Sequence, residues 1–503
     1  MNDSLDARYA RFVAELREQW HLGSARALLG WDQDTMMPRG ALSARAAQLG
    51  ALSVTLHARR TAPGFLDLVD GLAADAGRLD AGAAADVRET KWRLDRERAL
   101  EPTLVRARAE LQAEARAAWV EARRDDDFAA LAPYLERLFG LAREAAAAIA
   151  PDRDAYEVLL EGYERHATRD RVAALLGELA AGLAPIIERL HARLARGPLG
   201  GSALTGEFPP RAQRRFNRRV IETLGFDFAR GRLDESAHPF TATVGDDVRL
   251  TTRYDERDLR VGLYSSIHET GHGLYEQGLP RDALGLPRGS ACSLGVHESQ
   301  SRLWENVVAR SEAFWRCWHP RLAEHFPALG NRPLEAVLMA VNEARPSLIR
   351  VEADEITYNL HIVMRFELEC ALLDGTLAVA DLPAAWRERS RHYLGVAPAG
   401  HREGVLQDVH WACGDVGYFP TYAIGNVYAA QLWQAARRAL GDVDALLAAG
   451  DYRPLIDWLG REIYRHGQRL APDALIEQAC GEPVSVSPLL AHLEGKMRWL
   501  EAV

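Results

Sequence analysis

The amino-acid sequence predicts a mainly α-helical protein with a small β-sheet near the middle of the chain. From Leu5 to about Leu194, apolar residues recur at intervals of three and four among many Ala, Leu, Arg and Glu residues, which is the spacing of one buried helix face. Residues 247–254 alternate polar with apolar or β-branched residues, and this alternation indicates a half-buried strand. Beyond Pro346 the helical spacing returns and continues to Leu500.

Turn and capping residues divide the first half of the chain. The acidic run 125–127 predicts an N-cap for the helix that follows it, and the Gly-rich residues 197–202 predict a flexible connection. A further helix is predicted over 210–224. Residues 31–40, with the sequence WDQDTMMPRG, are too irregular for a helix interior. We therefore predict a loop there, which either packs as a turn capped by its Asp residues or forms a wall of a cleft.

The composition argues against nucleic-acid and membrane partners. The 503 residues include 61 Lys and Arg against 71 Asp and Glu, a net charge of −10, whereas binding to polyanions favours the opposite balance. The sequence contains no run of about 18 apolar residues and begins with polar residues unlike a signal peptide, so we expect a cytoplasmic protein. The five Cys residues are far apart and form no C-x-x-C pair, which indicates neither a disulfide framework nor a thiolate metal site.

The segment His268-Glu269-Thr270-Gly271-His272 has the pattern H-E-x-x-H. Side chains four positions apart lie on one face of an α-helix, so His268 and His272 can bind the same metal ion. Two imidazole nitrogens suit Zn²⁺, and a catalytic zinc keeps one coordination position for water. Glu269 would lie beside that water and accept its proton. The pattern therefore predicts a zinc peptidase.

Two glycines in the same helix favour a working site over an ordinary core helix. Gly271 and Gly273 each weaken a helix by about 1 kcal/mol relative to Ala. Residues this small would allow another segment of the chain, or the backbone of a substrate, to approach the helix closely.

A third metal ligand is expected downstream of the motif. A loop over 278–289 would allow a second helix to cross the first, and that helix contains His297, Glu298 and Glu305. The two acids are seven positions apart and share a helix face, so their spacing does not choose between them, and a carboxylate that supports a ligand His is expected as well. The strand before the motif either offers an unpaired edge to an extended peptide or only supports the helix.

The motifs occur in the order found in a known family. The chain resembles the M32 metallocarboxypeptidases, of the thermostable carboxypeptidase Taq type, over essentially its whole length. The segments that carry the resemblance are Trp31-Asp32 to Pro38, His238-Pro239-Phe240-Thr241, the D-x-R-x-T strand at Asp247, Arg249 and Thr251, His268 to His272, His297-Glu298-Ser299-Gln300, Ile349-Arg350-Val351-Glu352-Ala353-Asp354 and Gly404 to Trp411.

The resemblance implies an architecture and a metal site. It implies a mainly helical, saddle-like body with a deep substrate groove, usually a homodimer, that binds one divalent metal, Zn²⁺ or in some members Co²⁺. Carried over to this sequence, the metal ligands are His268, His272 and Glu298. Glu269 is then the general base and afterwards the general acid, and Glu305 supports the site or packs near it.

The resemblance also implies residues that bind the substrate. A carboxypeptidase must recognise a free C-terminal carboxylate, and a guanidinium fork suits this task best. The resemblance gives this role to Arg350, and Arg253, just after the strand, is a second candidate. Asp247, Arg249 and Thr251 of the strand motif are expected to contact the substrate as well.

The tetrahedral intermediate of peptide hydrolysis needs a hydrogen-bond donor for its oxyanion. His410 and Tyr422 are the candidates, and both would have to fold back onto the motif helix. Asp354 and Asp408 are expected to orient ligand or donor side chains.

The predicted function is that of a metallocarboxypeptidase that removes single residues from the C-terminus of peptides without a covalent intermediate. The resemblance implies a broad side-chain preference, with proline as the poor case. We expect residues 1–196 to form a helical wall of the groove and residues 197–503 to form the catalytic region of one continuous body. One alternative is a zinc oligopeptidase or endopeptidase of similar helical build, which needs no Arg for a terminal carboxylate. Another is a helical scaffold with a structural metal, which would have no use for Glu269.

Overall fold

The computed structural model describes residues 4–503, which form two compact units. Unit 1 contains the chain through Asp95 together with Gly201–Val341 and Leu432–Val484, and unit 2 contains Arg96–Gly200, Asn342–Gln431 and Ser485–Val503. The boundary after Gly200 falls inside the connection that the Gly-rich residues 197–202 predict. The functional division into 1–196 and 197–503 stays a prediction.

The described residues form twenty α-helices and one three-stranded sheet. The first ten helices are α1 (Leu5–Thr35), α2 (Leu42–Arg60), α3 (Pro63–Ala74), α4 (Ala81–Ala99), α5 (Pro102–Asp125), α6 (Phe128–Ile149), α7 (Ala155–Leu160), α8 (Arg169–Leu194), α9 (Pro210–Thr223) and α10 (Leu259–Gly278). The other ten are α11 (Leu294–Arg302), α12 (Glu312–His325), α13 (Leu334–Val341), α14 (Tyr358–Leu373), α15 (Leu382–Leu394), α16 (Pro420–Leu440), α17 (Val443–Ala449), α18 (Arg453–Glu462), α19 (Pro472–Cys480) and α20 (Ser487–Ala502). Within residues 4–503, no helix combines the length and the apolar character that a membrane crossing requires.

The first helix extends further than the sequence predicts. Residues 31–35 are the last five residues of α1, so the prediction of a loop over this stretch is wrong. Trp31 is only 5% exposed, and burial of a large aromatic ring outweighs the weak helix propensity of its polar neighbours. The helix ends where the N–H groups of Met36 and Met37 both bond to the carbonyl of Asp32, at 2.9 and 2.8 Å, because Pro38 disfavours helical geometry in the residue before it.

The apolar spacing of α1 builds one core of unit 1. Phe12 is fully buried and packs with Phe65, Val69 and Leu72 of α3. Tyr9, Val13 and Leu16 lie against the same cluster, as expected for side chains three and four positions apart.

Unit 2 is built from longer helices of the same kind. Asp127 caps α6, because its side chain accepts a hydrogen bond from the N–H of Ala129 at 3.0 Å, and this confirms the cap predicted from the acidic run. In α8, Gly182 allows close packing against α20, since a Cβ at this position would be 2.4 Å from Leu490.

The predicted strand is the centre of the sheet. The strands are β1 (Gly231–Glu235), β2 (Thr241–Val244) and β3 (Asp247–Thr252), in the order β1-β3-β2. β3 pairs in parallel with β1 and antiparallel with β2, so β3 has no free edge. The interpretation in which β3 itself offers an unpaired edge to a peptide is therefore wrong, and the register turns the N–H and C=O groups of Thr241 and Thr243 in β2 away from β3.

The sheet lies between α1 and α10. On one face, the guanidinium groups of Arg232 and Arg249 lie over the ring of Trp31, 4.9 and 4.3 Å from its centroid. On the other face, Gly273 lets α10 approach the sheet, because a Cβ there would be 2.8 Å from Leu250. The sheet thereby fixes the position of the helix that carries the H-E-x-x-H motif.

Candidate active site

Hydroxyl groups attach the motif helix to the sheet. The Oγ1 of Thr252 in β3 is 2.5 Å from the Oγ of Ser265, and the Oγ of Ser266 is 3.0 Å from the same atom. Asn217 of α9 donates to Ser266 at 3.0 Å. All three of the residues Asn217, Thr252 and Ser266 are buried, so these bonds hold the start of α10 in place.

The crossing of α10 and α11 depends on Gly271. A Cβ at this position would lie 2.5 Å from the carbonyl oxygen of Gln300 and 2.6 Å from the Cα of Ser301. Both atoms belong to the backbone of α11, which cannot move aside as a flexible side chain can. The predicted close approach to this glycine is therefore made by α11, and it brings Glu298 next to the two motif histidines.

His268, His272 and Glu298 form a group that could hold a metal ion. Their ligand atoms all lie within 4.8 Å of one another. The Oε2 of Glu298 is 3.9 Å from the Nε2 of His268 and 3.6 Å from the Nε2 of His272. Two ligands of a tetrahedral zinc ion are about 3.4 Å apart when the bonds are about 2.0–2.2 Å long. The two nitrogens and the oxygen therefore fit a divalent metal of this kind.

The second nitrogen of each histidine is already bonded. The Nδ1 of His268 is 2.8 Å from the Oε2 of Glu305, and the Nδ1 of His272 is 3.1 Å from the carbonyl oxygen of His297. When Nδ1 donates to these acceptors, each Nε2 keeps its lone pair for a metal. Glu305 thus supports a candidate ligand, which is one of the two roles expected for it. It reaches His268 from the π-helical turn Leu303–Val308 that continues α11.

Arg302 connects the two acids of α11. Its Nε donates to the Oε1 of Glu298 at 2.6 Å, and its Nη1 donates to the Oε2 of Glu305 at 3.3 Å. Because Arg302 holds Oε1, the other oxygen of Glu298 is left to face the two histidines.

The two histidines differ in charge because only His268 has its pKa raised by neighbouring carboxylates. Burial opposes the charged form of His268, but the carboxylates of Glu298 and Glu305 outweigh it and raise the pKa to about 9. His272 has no carboxylate on its Nδ1, and burial lowers its pKa well below the ordinary value. Burial would raise the pKa of Glu305, but Arg302 and His268 lower it to about 2. Glu305 is therefore an anion near neutral pH and can accept the proton of His268.

Glu269 lies beside the metal candidates and is held by the sheet. The hydroxyl of Thr241 in β2 donates to its Oε2 at 2.6 Å. Burial raises the pKa of Glu269 above the ordinary value, as expected for a carboxylate that works as a proton acceptor and donor.

The residues of the D-x-R-x-T strand have partners within unit 1. Arg249 donates to Asp247 at 2.6 Å. Thr251 is fully buried, and its Oγ1 accepts the N–H of Phe240 at 2.8 Å, so it fixes the connection before β2. Arg253 is exposed. The substrate contacts expected of these residues stay predictions.

The predicted carboxylate-binding Arg lies in a charged cluster of unit 2. Arg350 is 5% exposed, and its Nε and Nη2 both donate to the Oδ1 of Asp408, at 3.2 and 2.8 Å. Arg365 donates to the other oxygen of Asp408 at 2.6 Å. Burial would raise the pKa of Asp408, but the two guanidinium groups hold it well below the ordinary value. Asp408 therefore orients Arg350, and the role expected for it, the orientation of a ligand or donor side chain, stays a prediction.

The two candidate oxyanion donors form a pair in unit 2. The Nε2 of His410 is 3.2 Å from the hydroxyl of Tyr422. Burial lowers the pKa of His410 to about 4, so the ring is neutral near pH 7. Arg350 lies over the ring of Tyr422, 4.9 Å from its centroid, and these three side chains are therefore neighbours. Asp354 instead caps its own turn by accepting hydrogen bonds from Ile356 and Thr357.

Two partners in the site were missed by sequence reasoning. Thr241 belongs to the segment His238-Pro239-Phe240-Thr241 that carries the family resemblance, but nothing in its spacing indicates a contact with Glu269. Arg302 could have been found, because it lies four positions after Glu298 and an ion pair at this spacing is common on a helix.

Comparison with known proteins gives the same family throughout. The family model of carboxypeptidase Taq (M32) metallopeptidases matches residues 11–497. The chain is 44% identical over 504 residues to thermostable carboxypeptidase 1 of Thermus thermophilus, with 98% of each chain covered. It is 36% identical over 487 residues to carboxypeptidase 1 of Bacillus subtilis, with 96% of this chain and 97% of that one covered.

Solved structures of the family share the fold. The M32 carboxypeptidase from Deinococcus radiodurans superposes with a TM-score of 0.95 and is 39% identical, with 99% of this chain and 100% of that one covered. A Pyrococcus furiosus carboxypeptidase superposes with a TM-score of 0.94 and is 33% identical, with 99% of each chain covered. The predicted fold class is thereby confirmed. Because sequence and fold agree along nearly the whole chain, the protein belongs to the carboxypeptidase Taq (M32) metallopeptidase family and is a metallocarboxypeptidase.

Proposed function

We propose that this metallocarboxypeptidase removes single residues from the C-terminus of peptides, with one metal held by His268, His272 and Glu298. The observation that carries the proposal is the convergence of two imidazole nitrogens on one carboxylate oxygen, at 3.9 and 3.6 Å. Glu269 is a further buried carboxylate beside this group, and a closed structural metal site has no use for it.

Glu269 acts as the general base and then as the general acid. A divalent metal bound by the three ligands supplies Lewis acidity, which polarises the scissile carbonyl and favours ionisation of water. Glu269 accepts the proton of the attacking water and passes it to the leaving amine. Because Thr241 holds Oε2 at 2.6 Å, Oε1 is the oxygen that receives the proton. The raised pKa of Glu269 makes it a stronger base than an exposed carboxylate.

Arg350 binds the terminal carboxylate of the peptide. In unit 2, two buried guanidinium groups share the single carboxylate of Asp408. This part of the cluster carries one positive charge in excess, and a buried charge without a partner is unfavourable. A carboxylate from the substrate would balance it, whereas a C-terminal amide would not. Arg253 is the weaker candidate because it is exposed.

His410 and Tyr422 donate hydrogen bonds to the oxyanion of the intermediate. A neutral imidazole and a phenol donate without adding a second charge beside Arg350, and the low pKa of His410, about 4, keeps the ring neutral. Their contact at 3.2 Å keeps the two groups close together. It uses one of the two protons in the free protein, so this hydrogen bond must break when both groups donate to the oxyanion.

The remaining features of the proposal follow from chemistry and from the family. Two imidazoles and one carboxylate suit Zn²⁺, and Co²⁺ accepts the same ligands. A homodimer, a cytoplasmic location, and a broad side-chain preference that is poor on proline are carried over from the expectations above.

The experiment compares an unblocked peptide with its C-terminal amide by time-resolved mass spectrometry. We expect a ladder of single-residue losses from the free peptide, and at least about 100-fold slower cleavage of the amide, since an amide does not balance the excess positive charge of Arg350 and Arg365 over Asp408. Glu269→Gln keeps the shape of the side chain but removes its basicity, and we expect a loss of about 10²–10⁴-fold in kcat.

Two outcomes would contradict the proposal. Internal fragments from both peptides would indicate an oligopeptidase. Equal activity of the Glu269→Gln variant, with the metal bound as in the wild type, would remove Glu269 from the reaction. Thr55→Val, at an exposed position of α2, is the control, and it should cleave both peptides as the wild type does.

A further inference from the structure

We propose that His297, held by Glu276, is a positioning residue that fixes the ring of His272 for metal binding. The inference rests on the proposed function, because it takes His272 as a metal ligand. Three side chains carry it, and two of them, His272 and Glu276, are four positions apart on the same face of α10. The third, His297, precedes Glu298 in α11.

His297 contacts His272 through two different groups. Its carbonyl oxygen lies 3.1 Å from the Nδ1 of His272. Its imidazole ring also stacks on the ring of His272, with centroids 4.3 Å apart and an angle of 20° between the planes. The carbonyl sets which nitrogen of His272 carries the proton, and the stacked ring limits the rotation of His272 about χ2.

The two candidate ligands differ in how firmly they are held. The Nδ1 of His268 meets the carboxylate of Glu305 at 2.8 Å, a strong charge-assisted bond that restricts the ring by itself. The Nδ1 of His272 meets only a neutral carbonyl, and a single bond to a carbonyl allows the ring to tilt around it. Because His272 lacks the carboxylate, the stacked ring of His297 supplies the missing restraint.

Glu276 in turn fixes the ring of His297. Its Oε1 is 2.9 Å from the Nε2 of His297, so a carboxylate of α10 forms a hydrogen bond with an imidazole of α11. The ring of His297 also contacts the ring of the fully buried Tyr275, with centroids 5.7 Å apart. Glu276 and Tyr275 therefore both restrain the ring that stacks on His272.

The test measures zinc affinity by competition with a chromophoric chelator, starting from the metal-free protein. We expect His297→Ala to weaken zinc binding about 10- to 100-fold, the range typical when a group that orients a metal ligand is removed. His297→Phe keeps a flat ring for stacking but not the bond to Glu276, and it should restore most of the affinity. Glu276→Gln should give a smaller loss than His297→Ala.

A second readout reports the metal geometry. The visible absorption of the Co²⁺-loaded protein should change in His297→Ala and return towards the wild-type spectrum in His297→Phe. A role in folding alone would not produce this pattern. If His297→Ala does not fold, Glu276→Leu, which releases the ring of His297 but leaves it in place, replaces it. A smaller loss of zinc affinity and a smaller change of the Co²⁺ spectrum are then expected.

The outcomes separate this inference from the proposed function. Wild-type zinc affinity and an unchanged Co²⁺ spectrum in both His297→Ala and Glu276→Leu would overturn the inference and leave the metal site standing. If the wild type binds zinc and the His272→Ala variant binds it equally tightly, the proposed ligand set is overturned instead.

Discussion

A single buried carboxylate joins three segments of unit 2. Glu369 of α14 accepts hydrogen bonds from the hydroxyl of Tyr156 at 2.9 Å and the indole N–H of Trp411 at 2.8 Å. It also accepts the backbone N–H of Gly417 at 3.2 Å. All three donors are uncharged, so they offset the cost of burial only in part, and the pKa of Glu369 is raised to about 7. Two of these donors, Trp411 and Gly417, follow His410 closely in the chain.

This raised pKa predicts a dependence of stability on pH. The unfolded chain releases the Glu369 proton near the ordinary glutamate pKa of 4.5, whereas the folded chain keeps it up to about 7. Folding is therefore disfavoured progressively as the pH rises through this window, by on the order of 3 kcal/mol. Glu369→Gln has no proton to release and should lose this dependence, as measured by denaturant unfolding from pH 5 to 8.

The control is the exposed Glu144→Gln on α6, which should follow the wild type at each pH. Parallel curves for the wild type and Glu369→Gln would show that Glu369 is already ionised in the folded protein at pH 5.

At the scale of the elements, the site depends on how closely α10 and α11 cross. Gly271 has no side chain, so the backbone of α11 fills the place where a Cβ would be. The crossing brings Glu298 to the two motif histidines, and it also places Glu305 on His268 and His297 on His272. Gly271 therefore sets the distance between the two candidate histidine ligands of α10 and the candidate ligand Glu298 of α11.

Gly271→Ala should disturb both stability and metal binding. A Cβ 2.5 Å from a backbone carbonyl forces the helices apart, and overpacking of this kind costs about 1–3 kcal/mol. We expect a lower free energy of unfolding and weaker zinc affinity, measured by denaturant titration and chelator competition.

Gly495→Ala in α20 is the matched control for this prediction, because a Cβ there meets no atom within 4 Å. It should be neutral, or stabilising by up to about 1 kcal/mol through helix propensity. Unchanged stability and zinc affinity in Gly271→Ala would contradict the assigned role of the crossing.

Local patterns predict the elements better than their partners. The helix with the motif, the strand before it and the cap at Asp127 follow from residues close together in the sequence. The central position of β3 does not, because it depends on pairing with β1 and β2. The helical state of residues 31–35 was missed for a similar reason, since it depends on the burial of Trp31 against the sheet.

At the scale of the whole molecule, the sequence predicts the metal ligands but not the groups that hold them. The histidine spacing fixes His268 and His272, and the family resemblance selects Glu298 over Glu305. Thr241 and Glu276 are partners of the site only because distant segments come together, and no local pattern indicates this. Arg302 is the exception, because its spacing of four positions from Glu298 is a local pattern. The metal candidates lie in unit 1, and the Arg350 cluster lies in unit 2.

The most direct measurement of the central claim is anomalous X-ray diffraction from crystals of the zinc-loaded protein, on both sides of the zinc absorption edge. The account predicts one strong peak per chain, about 2.0–2.2 Å from the Nε2 atoms of His268 and His272 and from the Oε2 of Glu298. The peak should be absent in Glu298→Ala. A peak on other residues, or peptide hydrolysis by protein without a peak at these three atoms, would contradict the account.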